Sequence, residues 1–231
     1  MDDFEDIQAG PGDGSGRWRL AADGVAAVVC VAAIVWTFVL GERVPLLAAA
    51  DLGFHELGHM LGGALPGLMP ALAGTFLQLL VPGGLAAYFG AVRREEFAVA
   101  LMLAWLGTSA RDASVYIADA PYERLPLIGG THDWAAIFGS IGHLDWAEPV
   151  ATVVWVCGLL CVIAGLAVGT WPFIRVAIER RRRSAYERRV ATLPRHDPRN
   201  PVVRPSRETP GLENPPIPPS DEVPFPPGSA R

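Results

Sequence analysis

Two histidines four residues apart, His55 and His59, with Glu56 directly after the first, hold the clearest chemistry in this chain. On an α-helix, residues i and i+4 share a face, so both imidazoles can reach one metal ion. Glu56 sits next round the helix and is placed to take a proton from a water that the metal activates. Zinc suits such a site because it lowers the pKa of a bound water to about 7. Gly58 removes side-chain bulk beside the pair and lets a neighbouring backbone approach. The spacing predicts a zinc centre with Glu56 as general base.

A catalytic zinc keeps three protein ligands and one open position, so a third donor must come from elsewhere. Two residues compete for that place. Asp112 lies deep in an apolar run, where an unpaired carboxylate is costly; its other reading is a charge pair with a nearby arginine. His132 follows Gly129-Gly130, a turn that could aim it inward; its other reading is a loop histidine. Asp133 could ligate too, or serve as N-cap of a helix starting at Trp134. Asp119, seven residues after Asp112 and on the same helix face, fits the role of orienting a histidine. Gln78 and Tyr116 are expected to hydrogen-bond between helices or to bind a substrate carbonyl. His143 and His196 read as bystanders.

The elements that must position these groups are apolar helices. A helix needs about 20 apolar residues to cross a bilayer. Five runs approach this length: 24–40, 46–65, 71–89, 97–118 and 150–174. The first and last are apolar on every face and flanked by Trp or Arg, as at membrane interfaces. The second contains the His/Glu motif, the fourth Arg111 and Asp112. Burying such groups in a bilayer costs on the order of 2–3 kcal/mol for a charge at mid-helix, and a bound metal compensates it. Residues 120–149 form a loop whose second half, Trp134–Ile141, is apolar enough to dip into the membrane. The expected fold is therefore all-α: a polytopic transmembrane bundle of about five segments with disordered termini.

The domain layout follows the charge. Residues 1–16 are acidic and Gly-rich, 17–178 form the membrane domain, 179–193 extend the last helix with arginines, and 194–231 form a Pro-rich tail. The tail cannot bury a core and is expected to be disordered or polyproline-like. The net charge of −5 sums these unlike parts, so it says little about partners. The expected partners are the lipid bilayer and a membrane-protein or peptide substrate, with no nucleic acid. All 19 basic residues are arginine, a bias expected of a GC-rich bacterial genome. The arginine cluster at 180–189 is expected to hold the C-terminus in the cytoplasm of a plasma-membrane protein. Cys30, Cys157 and Cys161 sit in apolar runs and read as small hydrophobes. No cleavable signal peptide is expected.

His-Glu-x-Gly-His inside a membrane segment resembles the M50-like, site-2-type intramembrane zinc metallopeptidases. The core resembles small bacterial membrane proteins of that kind through Phe54–His59, Leu77–Pro82, Ser114–Ala120 and Leu125–Trp134. The likeness covers roughly 45–165. It implies hydrolysis of a peptide bond in or near the bilayer, with zinc on His55 and His59. Site-2-type enzymes draw a third ligand from a Leu-Asp-Gly motif. Here Leu127-Ile128-Gly129-Gly130 stands in the comparable place with Ile for the Asp, which leaves Asp112 and His132 open as third ligand. The rival readings are a metal-binding or transport protein that needs no base at Glu56, and an inactive scaffold that works through its Pro-rich tail.

Overall fold

The structure is a computed structural model, and it describes residues 14–127 and 131–192. The chain divides at Ser184; the unit from Ala185 contributes the end of the last helix, and all that follows concerns the unit before it.

Every regular element among the described residues is helical, without a strand. Helix α1, Gly14–Ala33, runs on through a π-helical turn, Ile34–Val39. Helix α2, Pro45–Gly62, starts with proline in its first turn, where the missing N–H costs nothing. Helix α3, Met69–Tyr88, also starts with proline and passes into a π turn, Phe89–Arg93. Helix α4 is Glu96–Asp119 and α5 is the short Asp133–Ile141. After a 3-10 turn, Leu144–Trp146, helix α6 spans Ala147–Ala191. The five apolar runs are thus five helices, and Trp134–Ile141 lies within α5. Helix α1 already begins at Gly14, inside the segment expected to be a disordered head. The expected disorder of 1–13 and of the tail, 194–231, falls outside the described residues.

Three stretches are long and apolar enough to cross a membrane: Gly16–Val39, Met69–Arg93 and Leu144–Ala191. The first has 24 residues, about 36 Å at 1.5 Å per residue against about 30 Å of hydrocarbon. Helices α2 and α4 do not reach that apolarity. They carry Asp51, His55, Glu56 and His59, and Arg111, Asp112 and Asp119, respectively.

Large apolar side chains face outward, among them Val28, Val39, Phe76, Val153 and Leu160, while the interior is built from small ones. Ala26, Cys30, Ala33, Ala100, Ala104 and Val162 form one cluster between α1, α4 and α6. Ile117, Ala120, Ile137, Phe138, Ala147 and Ala151 form the other and seat α5 against α4 and α6. Small interfacial residues let helix backbones approach where apolar burial cannot drive association.

Glycines set the closest approaches. A Cβ on Gly107 of α4 would lie 2.5 Å from the Gly158 carbonyl oxygen of α6, and closer still to Val162. One on Gly58 of α2 would lie 2.8 Å from the Gly74 Cα of α3. The carbonyl is backbone and has no rotamer through which to yield.

Gly107→Ala should therefore lower stability by about 1–3 kcal/mol through overpacking. Its thermal unfolding midpoint in detergent should fall. Gly84→Ala, whose Cβ would meet nothing within 4 Å, should hold the wild-type midpoint. Equal midpoints for both variants would mean that α4 and α6 do not pack this closely.

Candidate metal centre

Helix α2 places His55 and His59 on one face, with ring centroids 4.7 Å apart. The face lies against α3 because Gly58 and Gly74 remove the side chains that would hold the helices apart. Gly74 sits directly under the rings: a Cβ there would fall 2.6 Å from His59 Nε2 and 2.9 Å from His55 Cε1. Helix α5 brings in Asp133, the first residue of its first turn.

Three atoms converge. His55 Nε2 and His59 Nε2 are 3.0 Å apart, and each lies 3.1 Å from Asp133 Oδ2. The other ring nitrogens fix where the protons sit. The Pro70 carbonyl, 2.9 Å from His59 Nδ1, can only accept, so Nδ1–H donates and Nε2 of the neutral ring keeps its lone pair. Gln78 fixes His55 in the same way. Its amide nitrogen donates to the Ser109 backbone carbonyl at 3.3 Å and to Ser109 Oγ at 3.2 Å. That turns its Oε1 toward His55 Nδ1, 3.2 Å away, so Nδ1–H donates there as well.

Two imidazole lone pairs and a carboxylate oxygen are thus in contact. Electron pairs so placed repel one another. A proton on one ring settles one contact, whereas a cation settles all three. A tetrahedral zinc with bonds of about 2.0–2.1 Å has ligand–ligand edges of about 3.3 Å, close to the separations found. His55, His59 and Asp133 form a group that could hold a metal ion. The donor set is the hard-to-borderline nitrogen and oxygen mixture that zinc and other divalent metals accept.

The side chains are mostly shielded, with 11% exposure for His55, 13% for Asp133 and 27% for His59. Burial alone would raise the Asp133 carboxyl. A proton on either facing imidazole nitrogen, together with the Tyr116 hydroxyl, outweighs it and holds the group below the usual carboxylate range. It is therefore ionised at neutral pH, as a ligand must be. Tyr116 Oη donates to Asp133 Oδ2 and accepts from the Asp133 backbone N–H, both at 3.1 Å. Glu56 is half-buried. Among the described residues its carboxylate has no hydrogen bond or ion pair.

The other candidates lie elsewhere. Asp112 accepts from Arg43 Nε at 2.9 Å and from Arg111 Nη1 at 3.3 Å, so it is a charge pair and not part of the group. The neighbouring Arg111 reaches it through its long side chain. His132 is fully buried but turned from the site: it is the N-cap of α5, with Nδ1 accepting from Ala135 N–H at 3.2 Å. The cap expected at Asp133 thus belongs to His132, and the helix starts one residue earlier than expected. Asp119 accepts from the Leu125 N–H at 2.9 Å and lies 3.8 Å from His132 Nε2. Gln78 and Tyr116 bond between helices. Ile128–Gly130 fall outside the described residues.

Ser109 and the Pro70 carbonyl escaped the sequence reading. No residue pattern marks a backbone carbonyl as a histidine partner, and a serine in an apolar helix gives no sign of its register. Gly74 escaped for the same reason. Comparison with family models, with curated proteins and with solved structures finds no match to this chain.

Asp133→Ala should lose stoichiometric zinc, whereas Asp112→Ala should keep it, as read by plasma mass spectrometry on chelator-free detergent preparations. The reverse result would return the third ligand to α4.

Proposed function

We propose that this protein is an intramembrane zinc metallopeptidase of the M50-like, site-2-type kind. One observation carries the reading: His55 Nε2, His59 Nε2 and Asp133 Oδ2 converge within 3.1 Å, with Glu56 adjoining on the same helix turn. The ligands would be His55 and His59 from α2 and Asp133 from α5. In this reading Asp133 does the work that the Leu-Asp-Gly aspartate does in the site-2-type enzymes. A zinc ion held there acidifies a water and polarises a peptide carbonyl.

The remaining chemistry belongs to the chain. Glu56 accepts the proton from the attacking water and returns it to the departing amine. Gln78 and the Pro70 carbonyl keep the imidazoles in the tautomer that binds metal. His55 and Asp133 are mostly shielded from solvent, which strengthens the electrostatic contact between them.

Five helices, α1 to α4 and α6, form the bundle in this reading, with α4 packed among α1, α3 and α6, and α2 lying on α3 with its outer apolar face exposed. Charged groups inside a membrane face the bundle interior and pair with one another, as Asp112 does with Arg43 and Arg111. The arginines at 180–183 keep the C-terminus in the cytoplasm. The substrate is a membrane-protein or peptide segment that exposes its backbone near the bilayer.

A metal-conducting protein would use the same three ligands. Asp51 favours that reading: it is 2% exposed, accepts from Trp105 Nε1 at 2.8 Å and leaves its second oxygen without a partner among the described residues. Glu56→Gln separates the two readings. Hydrolysis of casein by the purified protein in detergent should fall at least about 100-fold, the usual worth of a general base, with zinc content unchanged. Equal loss of zinc would make Glu56 structural. No hydrolysis by the wild type, with zinc bound, would favour conduction.

A further inference from the structure

We propose that Asp119 and His132 are a positioning pair that fixes Asp133 as the third metal donor; this rests on the metal-centre reading above. Asp133 comes from a nine-residue helix, far shorter than the helices that carry the histidines. Its carboxylate must nonetheless meet two imidazoles to within a few tenths of an ångström.

Two residues of α4, three apart and so on one face, grip the start of α5. Tyr116 takes the upper point. Its hydroxyl holds both the N–H and the carboxylate of Asp133, and its ring stacks on His132 at 4.2 Å with planes 19° apart. Asp119 takes the lower point, facing His132 Nε2 at 3.8 Å and tying down the Leu125 N–H.

His132 joins the two. Its Nδ1 accepts from Ala135 N–H and so caps α5, satisfying one of the donors that a helix start leaves open. A neutral ring that accepts at Nδ1 carries its proton on Nε2. That N–H is buried with no hydrogen-bond partner among the described residues, and the side chain is 0% exposed. Asp119 is the carboxylate nearest to it, 11% exposed. The attraction between them sets the rotation of His132, and the cap passes that rotation to the first turn of α5, where Asp133 begins. Neither residue touches the metal group, so both act through Asp133.

The test uses the full chain in detergent with cobalt(II) as probe, because its visible absorption reports coordination geometry. Cobalt and zinc affinities are measured by chelator competition for wild type, Asp119→Asn, His132→Ala and His132→Asn. Asp119→Asn and His132→Ala should each weaken binding about 10- to 100-fold, the usual effect of losing an outer partner of a metal ligand, and change the cobalt spectrum. His132→Asn, whose side-chain oxygen can accept the Ala135 bond but cannot meet Asp119, should bind more tightly than His132→Ala and no more tightly than Asp119→Asn.

Affinities within about twofold of wild type, with unchanged spectra, would overturn the proposal. Failure of asparagine to rescue would reduce His132 to packing under Tyr116 and overturn its positioning role. If His132→Ala does not fold, Asp119→Asn decides. A wild type that binds neither metal overturns the metal-centre reading itself, an outcome distinct from a site that binds normally in the variants.

Discussion

Three electron-pair donors held in contact inside a helical bundle are the constraint on which the rest of this structure turns. Two imidazole nitrogens and a carboxylate oxygen do not gather unless their alternatives are taken away. Pro70 and Gln78 remove one alternative by occupying both Nδ1 protons. Tyr116 removes another by holding the Asp133 carboxylate in place. Each neighbour is itself fixed: the Gln78 amide by Ser109, and Tyr116 by the backbone of the residue it orients. The tautomer of a ligand histidine is set by the partner of its other nitrogen, and here those partners come from α3 alone.

That arrangement requires α2 and α3 to lie almost in backbone contact. Gly58 and Gly62 on one helix and Gly74 on the other make this possible, since a Cβ at any of them would strike the facing helix or the rings. A second glycine crossing, Gly107 against Gly158, ties α4 to α6 and so holds the helix that grips Asp133. Small residues inside and large apolar residues outside invert the pattern of a water-soluble core. The bundle is consequently held by shape and hydrogen bonding more than by burial of bulky side chains.

Much of this was legible in the sequence. The histidine pair followed from the i, i+4 spacing, and the five helices from runs of apolar residues. Gly58 read correctly as a point of close approach. That Asp133, among the candidate third donors, is the one that meets the histidines did not follow, because the contact joins residues 78 apart in sequence, and no local period reports it. Asp112 attracted attention as a charge in an apolar run, yet Arg43, 69 residues away, already neutralises it. His132 attracted attention as the best ligand type after a glycine turn, but its capping bond turns it aside. A one-residue shift in the start of α5 moved Asp133 from cap to first turn and aimed its carboxylate at the histidines.

The most direct test of the account is X-ray absorption at the zinc edge on protein reconstituted with one equivalent of zinc. The account predicts two imidazole nitrogens and at least one carboxylate oxygen at about 2.0–2.2 Å, with no sulfur. A shell of three imidazoles, a sulfur at about 2.3 Å, or zinc bound only as a hydrated ion would contradict it.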